Sequence, residues 1–342
     1  MTPLIQARDL VKEYPGPHGL WGGGPPVRAL RGVSVAVERG ETLAVVGESG
    51  SGKTTLGRCL LRLTEPGAGT VAFDGTDLLA LKAEELRRWR RRAQIVFQDP
   101  GAALNPRMTI GAAVREPLIA HGIARGSDAA QRVAEALTEV GLDPTHADRY
   151  PHELSGGQKQ RAVIARALIL KPEFLVLDEP VSSLDVSVAA QVLNLLADLR
   201  DVRGLTYVLI AHDLRVVRHL ADRVAVMYAG NVVETGPVAA IYASPRHPYT
   251  AALLSAMPVP DPTARQGHVM LRGEPPSPVS MPAGCPFEPR CPHPRKDRRC
   301  EAERPEFREI EPERRAACHY ADESPAVSSW PNAPRPSSSA PA

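Results

Sequence analysis

Short apolar runs alternate with helical hydrophobic patterns from residue 4 to about residue 240. The clearest runs are Thr42–Val46, Phe174–Leu177 and Tyr207–Ile210, and such short continuous runs are typical of strands buried on both faces of a parallel sheet. Val33–Val37 alternates apolar and polar positions, which predicts a half-exposed antiparallel strand. The succession of strands and helices therefore predicts an α/β fold with a substantially parallel sheet.

A stretch of helices interrupts this alternation between about residues 100 and 170. Residues 109–121, 127–140 and 156–170 each show helical spacing of their apolar positions. Apolar positions at helical spacing indicate amphipathic helices rather than strands. We therefore expect a helical insertion within the α/β domain.

The last 98 residues differ in composition from the rest. Of the 34 prolines in the 342-residue chain, 14 lie in residues 1–244 and 20 follow them. This part reads as irregular, with one short helix at 249–256. Residues 324–342 are rich in Pro, Ser and Ala, which predicts disorder. A chain of this length accommodates about two domains at roughly 100–200 residues each.

Charge and hydropathy exclude several classes of protein. Lys plus Arg (41) nearly balance Asp plus Glu (39), giving a formal charge of +2, whereas polyanion binders are strongly basic. Since no run approaches 18 consecutive apolar residues, we expect no membrane-spanning helix. The first residues lack a basic stretch followed by an apolar one, so we expect no signal peptide and a cytosolic protein.

A glycine-rich loop follows the first buried strand and opens a predicted helix at 53–63. Its sequence is Gly47-Glu48-Ser49-Gly50-Ser51-Gly52-Lys53-Thr54, which fits the phosphate-loop pattern G-x-x-x-x-G-K-[ST]. Glycines allow successive backbone N–H groups to point at phosphate oxygens, and the helix N-terminus adds a favourable dipole. Lys53 would reach the β- and γ-phosphates, and the Thr54 hydroxyl would bind Mg²⁺.

Two adjacent acids end the buried strand at 174–177. Asp178 and Glu179 lie where parallel-sheet enzymes bind their ligands, beyond the carboxyl ends of the strands. Asp178 can hold Mg²⁺ directly or through water. Glu179 can then act as a general base on a water that attacks the γ-phosphorus.

A second helix start suited to phosphate lies about 100 residues after the loop. Leu154-Ser155-Gly156-Gly157-Gln158 precedes a helix. Ser155 is a natural N-cap, and the two glycines leave the first N–H groups open to a ligand.

Together these motifs resemble the ATP-binding-cassette (ABC) ATPases over roughly residues 4–240. Gln98 matches the family's Q-loop glutamine, Asp185 its D-loop aspartate, and His212 its switch histidine. Tyr14 matches the aromatic residue that stacks on adenine. The resemblance implies a P-loop NTPase fold: a RecA-like core, an antiparallel β subdomain and a helical subdomain, followed here by a small Pro/Cys-rich C-terminal extension.

The family's mechanism assigns roles to these positions. Two cassettes would pair head to tail, so that ATP lies between the phosphate loop of one and the Ser155–Gln158 segment of the other. Gln98 would contact Mg²⁺ and the attacking water, while His212 would hold the γ-phosphate and orient Glu179. The residues implied to bind ATP are Tyr14, Gly47, Glu48, Ser49, Gly50, Ser51, Gly52, Lys53, Thr54 and Thr55. Those implied to bind Mg²⁺ are Thr54, Gln98 and Asp178. The signature residues, which would contact the ATP of the partner cassette, are Ser155, Gly156, Gly157 and Gln158.

Three further segments resemble the ATP-binding subunits of oligopeptide/dipeptide permeases: 97–107, 181–187 and 244–250. That similarity implies peptide import at the cytoplasmic face of the membrane, with a second cassette, two transmembrane permease subunits and an extracytoplasmic solute-binding protein. It also divides the chain into a nucleotide-binding domain (1–243), a C-terminal region (244–323) and the tail. Importers of nickel or other solutes share these features, and a soluble ABC ATPase acting on nucleic acid or ribosomes is the alternative from another class.

Four of the five cysteines lie in the C-terminal region. Cys285, Cys291, Cys300 and Cys318 are separated by five, eight and seventeen residues, without the close C-x₂-C pairs of structural zinc sites. A cytosolic location makes disulfides unfavourable. Some peptide-permease ATPases resemble this tail and carry a [4Fe–4S] cluster there, for which four thiolates are suitable ligands; zinc and unligated thiols are the alternatives. Cys59 reads as a core residue.

The arginine run at 87–92 invites a nucleic-acid interpretation. It contains a single interleaved aromatic residue, Trp89, and the chain's net charge is close to zero. A solvated helix face is the better interpretation, and we expect no nucleic-acid partner.

Overall fold

The computed structural model describes residues 2–322 except 17, 20–21, 258–268, 270 and 278, so the tail predicted at 324–342 lies outside the described residues. The strands are β1 (Ile5–Tyr14), β2 (His18–Gly19), β3 (Gly22–Gly23), β4 (Val27–Val37), β5 (Thr42–Val46), β6 (Ala68–Phe73), β7 (Thr76–Asp77), β8 (Ala93–Val96), β9 (Phe174–Asp178), β10 (Thr206–Ala211), β11 (Arg223–Tyr228), β12 (Asn231–Pro237), β13 (Arg308–Glu311) and β14 (Arg314–Ala316). The helices are α1 (Lys53–Leu60), α2 (Ala83–Trp89), α3 (Pro100–Ala103), α4 (Ile110–Ala120), α5 (Gly126–Glu139), α6 (Gly156–Leu168), α7 (Val186–Arg203), α8 (Leu214–Leu220), α9 (Val238–Ala243), α10 (Pro248–Ser255) and α11 (Arg298–Ala302), with 3₁₀ turns at Pro144–Asp148, Pro151–Glu153 and Glu288–Arg290. No helix of the described residues combines the length and apolar character needed to cross a bilayer.

A parallel sheet lies at the centre, with the strand order β11-β5-β10-β9-β8. Every residue of β5, β9 and β10 is buried, because hydrophobic side chains cover both faces of these strands. The three buried parallel strands predicted from the apolar runs are thereby confirmed. Their carboxyl ends share one edge of the sheet, which brings the residues that follow them together.

Antiparallel pairing surrounds this parallel centre on two sides. β4 pairs with β1 in a second sheet of order β4-β1-β6-β7, as the alternating pattern predicted for residues 33–37. On the central sheet, β12 pairs antiparallel with β11, and β14 and β13 extend that edge in turn. The C-terminal chain therefore adds strands to the same sheet that carries the phosphate loop.

The helical insertion occurs where the spacing predicted it. Helices α4, α5 and α6 begin and end within two residues of the expected bounds. The Thr109 hydroxyl caps α4 by accepting the Ala112 N–H at 3.3 Å, and Val114, Val133 and Leu137 are buried in the core that the three helices share. The short helix predicted near residue 249 is also present as α10.

The arginine run at 87–92 is more than a solvated helix face. Arg92 pairs with Glu173, with 2.5 Å between Nε and Oε1. Arg91 donates from Nη2 to the carbonyl of His121 at 2.8 Å. The interpretation as a solvated helix face was wrong for these two residues, because they lie beyond the end of α2 and their guanidinium groups bind neighbouring segments of the chain.

Candidate active site

The loop between β5 and α1 has a backbone that only glycine fits at two points. Gly47 has a φ of +152° and Gly52 a φ of +103°. A Cβ at Gly47 would lie 2.1 Å from the carbonyl oxygen of Met227, and one at Gly52 would lie 2.5 Å from that of Ala29. The glycines therefore let the loop curl tightly against β11 and β4 directly before the N-terminus of α1.

Lys53 lies under this loop. Its side chain is buried, and Nζ donates to the carbonyl oxygens of Gly47 at 2.8 Å and Glu48 at 3.0 Å. Burial lowers the pKa of Lys53, while the nearby charges of Glu179 and Asp178 oppose that shift. The cation is thus held against two backbone carbonyls of the loop.

An orphaned polar atom in the loop fits a phosphate ligand. The Oγ atom of Ser51 is buried and has no hydrogen-bond partner among the described residues. A buried hydroxyl without a partner is unfavourable in a protein interior, and it points to an unsatisfied ligand contact. Together with the helix start and Lys53, it makes the loop a suitable anion site.

Thr54 and Asp178 form the second pair at this edge. Thr54 Oγ1 donates to Asp178 Oδ1 at 3.2 Å, which joins the start of α1 to the end of β9. Burial raises the pKa of Asp178, and the Thr54 hydrogen bond counteracts that shift. A hydroxyl and a carboxylate side by side are oxygen donors of the kind that Mg²⁺ prefers.

Three side chains from three neighbouring strand ends meet at one carboxylate oxygen. Gln98 Nε2 donates to Glu179 Oε2 at 2.9 Å, and His212 Nδ1 lies 3.0 Å from the same oxygen. A carboxylate only accepts, so this contact requires the proton on Nδ1 of His212. Glu179 itself adopts a φ of +48°, a left-handed conformation that for a non-glycine residue is typical of strained functional sites.

The Ser155–Gln158 segment starts α6 as predicted. Ser155 Oγ accepts the Gln158 N–H at 3.3 Å, and Gln158 Oε1 accepts the Ser155 N–H at 2.9 Å, which is a complete capping box. Gly157 lies against α7, where a Cβ would come within 2.3 Å of Val188. None of the described hydrogen bonds joins this segment to the phosphate loop of the same chain.

Asp185 and Tyr14 occupy separate places. Asp185 caps α7 by accepting the Val188 N–H at 2.9 Å, and this hydrogen bond lowers the pKa of Asp185. The neighbouring Val186 is 83 % exposed, so this turn projects a large apolar side chain into solvent. Tyr14 ends β1, where its ring lies 5.3 Å from the Lys12 ammonium.

The four C-terminal cysteines line one small cavity of about 20 Å³. The Cys285 N–H donates to the Cys300 carbonyl at 2.9 Å, which fixes two of the segments to each other. Burial raises the pKa of Cys285, and it raises the pKa of Cys291 and Cys318 to about 12. Four thiols around one cavity match a four-thiolate donor set in number and type. However, no group of three or more ligating side chains in the described residues is arranged to hold a metal ion. Cys59 is fully buried in the core, as predicted.

Two family matches cover most of the regions described above. Residues 30–182 match the ABC transporter family, and residues 233–300 match the C-terminal region of oligopeptide/dipeptide transporters. A Brucella ovis protein provisionally named a peptide import ATP-binding protein is 50% identical over 317 residues, which are 93% of this chain and 98% of that protein. The chain belongs to the ABC transporter family of ATP-binding proteins.

Other relatives of this ABC ATPase agree. The di/tripeptide transport ATP-binding protein DppF of Pseudomonas aeruginosa is 46% identical over 94% of this chain and 99% of its own length. Among solved structures, the ATP-binding cassette MJ0796 in a dimeric post-hydrolysis state with ADP and Pi matches with a TM-score of 0.60 and 30% identity, covering 68% of this chain and 98% of that one. The cassette cbiO1 from Clostridium perfringens matches with a TM-score of 0.62 and 28% identity, over 71% and 92%.

Sequence reasoning missed two ion pairs of the ABC ATPase that reach across the chain. Arg290 pairs with Glu48 of the phosphate loop at 2.9 Å, and Arg314 pairs with Glu234 at 3.0 Å. The segment at 244–250, noted for its resemblance to peptide permeases, was a partial signal. Its Tyr249 hydroxyl accepts the Glu48 N–H at 2.8 Å.

Proposed function

We propose that this ABC ATPase hydrolyses ATP at the cytoplasmic face of the cell membrane to power peptide uptake. The observation that carries the ATPase assignment is the meeting of Gln98 and His212 on Glu179, beside the phosphate loop. In this proposal residues 1–243 form the nucleotide-binding domain, with its helical part at about 100–170. Residues 244–323 form the C-terminal region.

The phosphate loop and its neighbours would bind the nucleotide. Residues 47–55 would hold the phosphates, with Lys53 at the β- and γ-phosphates, and Tyr14 would stack on adenine. Thr54, Asp178 and Gln98 would supply the ligands of Mg²⁺, whose charge would neutralise phosphate oxygens during transfer. Glu179 would accept the proton of the attacking water, while His212 would hold the carboxylate in place and contact the γ-phosphate.

A second cassette would complete the site. The Ser155–Gln158 helix start would contact the ATP bound by the partner cassette, with Asp185 at the interface between the two. Support comes from the signature segment, whose hydrogen bonds stay within its own helical region, and from the dimeric state of the solved relative.

Two substitutions test this arrangement in the isolated chain. Lys53→Ala should abolish most nucleotide binding because it removes the cation under the loop. Ser155→Arg should leave binding to the monomer within about twofold of wild type and block hydrolysis. Nucleotide titration and phosphate release distinguish the two. Equal loss of monomer binding in both variants would contradict a site completed by the partner.

Peptides are the proposed cargo, since the relatives are named as ATP-binding proteins of peptide import or di/tripeptide transport and the C-terminal match is to oligopeptide/dipeptide transporters. The partners would be two transmembrane permease subunits, a second cassette and an extracytoplasmic solute-binding protein. Reconstituted with those subunits in vesicles, hydrolysis should rise several-fold with a di- or oligopeptide and its binding protein. Stimulation by nickel instead, or by RNA in the absence of membrane subunits, would reject peptide import.

We also propose that the thiols of Cys285, Cys291, Cys300 and Cys318 ligate a metal centre, with a [4Fe–4S] cluster as the first candidate. A cluster or ion bound there would hold an irregular segment together through its thiolates. Anaerobically purified protein should be brown and contain about four iron atoms per chain, and Cys300→Ser should bleach it. One zinc per chain would identify a zinc site, and metal-free protein with four titratable thiols would reject both.

A further inference from the structure

The second residue of the phosphate loop is held by the C-terminal region. Arg290 Nη1 lies 2.9 Å from Glu48 Oε2, and Nη2 lies 3.1 Å from Oε1, so the contact is bidentate. It joins positions 242 residues apart. The Arg290 side chain is only 9 % exposed, and partly desolvated bidentate pairs are stronger and more directional than pairs on the surface.

The backbone of Glu48 is fixed from the same side. Its N–H donates to the hydroxyl of Tyr249, a fully buried residue of α10. Phe287, three residues before Arg290, packs its ring 5.4 Å from that of Tyr249 and 5.2 Å from that of Tyr228. The Tyr228 hydroxyl lies 3.4 Å from Arg290 Nη1. Side chain and main chain of Glu48 are therefore both tied to one aromatic cluster.

These contacts extend to Lys53, the cation proposed to bind the phosphates of ATP. Glu48 is the residue whose carbonyl accepts from Lys53 Nζ at 3.0 Å, and the preceding carbonyl, of Gly47, accepts at 2.8 Å. The orientation of the backbone at Glu48 therefore determines where the two carbonyl oxygens that accept from Lys53 lie. A loop already fixed in its binding conformation loses less entropy when its ligand binds.

We propose that Arg290 is a positioning residue for nucleotide binding, acting through Glu48 on the phosphate loop. The inference rests on the proposed function, since it requires that this loop bind ATP. Among the described hydrogen bonds, Arg290 contacts the phosphate loop only through the side chain of Glu48. The 3₁₀ turn of Arg290 begins three residues after Cys285 and ends directly before Cys291. One short segment therefore borders both the cysteine-lined cavity and the phosphate loop.

The test compares variants of the full chain by titration with a fluorescent ATP analogue. Arg290→Gln should weaken nucleotide binding about tenfold, equivalent to about 1.4 kcal/mol, and should raise KM while changing kcat less. Arg290→Lys should recover part of the affinity because it keeps the charge without the bidentate geometry. Arg299→Gln is the matched control, since the ion pair of Arg299 with Glu303 is exposed, and it should bind as wild type does.

The double variant decides whether Arg290 acts through Glu48. Glu48→Gln should weaken binding to a similar extent, and Glu48→Gln/Arg290→Gln should bind no worse than either single variant. Additive losses, or wild-type affinity in Arg290→Gln at an unchanged melting temperature, would overturn the proposal. If Arg290→Gln does not fold, Glu48→Gln and Arg290→Lys carry the same comparison. Failure of the wild-type chain to bind ATP would instead reject the proposed function.

Discussion

The two regions that meet at Glu48 treat their polar side chains in opposite ways. The first region is the cassette edge, the edge of the parallel sheet where Gln98, Glu179 and His212 meet. There His212 is 59 % exposed and contacts Glu179 through one hydrogen bond. Where the C-terminal region joins the central sheet, Glu234 of β12 is fully buried and accepts from Arg314 and from the backbone N–H groups of Arg246 and His247. His212, which is proposed to contact a ligand, stays accessible, whereas the carboxylate of Glu234 is saturated with protein donors. Substitutions around Glu179 should therefore change chemistry, and substitutions around Glu234 should change stability.

The largest effect is expected at Glu179. Glu179→Gln keeps an oxygen for Gln98 and His212 but removes the proton acceptor, so turnover should fall by about 10²–10⁴. ATP should still bind, and the unfolding transition should barely move. Phosphate release and nucleotide titration measure the two quantities. Glu116→Gln, which removes a surface partner of Arg166, is the control. Near-normal hydrolysis in Glu179→Gln would take the base role away from this residue.

Arg314 offers the opposite test. Arg314→Met leaves the buried carboxylate of Glu234 with only backbone donors, and breaking a buried pair in this way should cost about 3 kcal/mol in unfolding free energy. Hydrolysis per folded molecule should stay within about twofold. Denaturant unfolding checks the first expectation, with Arg308→Met as control, because the pair of Arg308 with Asp322 is largely exposed and should contribute less than about 1 kcal/mol. A loss of activity without a loss of stability would break the division between the regions.

The cassette edge could be predicted from the sequence because its parts are local. An apolar run followed by Asp178 and Glu179 gives both a buried strand and the position of its end, and the parallel order of strands then brings Gln98 and His212 to the same edge. The glycines of the phosphate loop were likewise predictable, since a loop that curls around a phosphate needs backbone conformations that other residues resist. Gln98 and His212 themselves were assigned through the resemblance to the ABC ATPases, because no local pattern marks either residue on its own.

The C-terminal contacts could not be predicted in the same way. The pairing of Arg290 with Glu48 spans most of the chain, and β14 is three residues long, too short for any periodicity to be seen. β14 pairs with β12 at Glu234 and Thr235, and Arg314 forms an ion pair with Glu234, a residue 80 positions earlier in the chain. Cysteine spacing likewise indicated shared chemistry without showing that four distant thiols line one cavity. Such contacts follow from tertiary packing rather than from local pattern.

A smaller effect than those at Glu179 and Arg314 is expected from the pH response of the buried His247. Burial lowers the pKa of His247 from 6.5 to about 3, and the charge of His293 adds to that shift. The neutral ring accepts the Tyr249 N–H at Nδ1, 3.1 Å away. Because the unfolded chain binds a proton more readily, this contribution is fully present above about pH 6.5 and is lost as pH falls toward 3.

Between pH 7 and pH 5 the wild-type chain should therefore lose about 2 kcal/mol of unfolding free energy through His247. His247→Asn retains an N-cap acceptor for α10 but does not titrate, so its stability should fall less over the same range. Denaturant titrations at the two pH values measure the difference. Parallel losses in both proteins would show that His247 takes up its proton without unfolding the C-terminal region. The rule that the buried polar groups around Glu234 stabilise the fold would then not apply to the ring of His247.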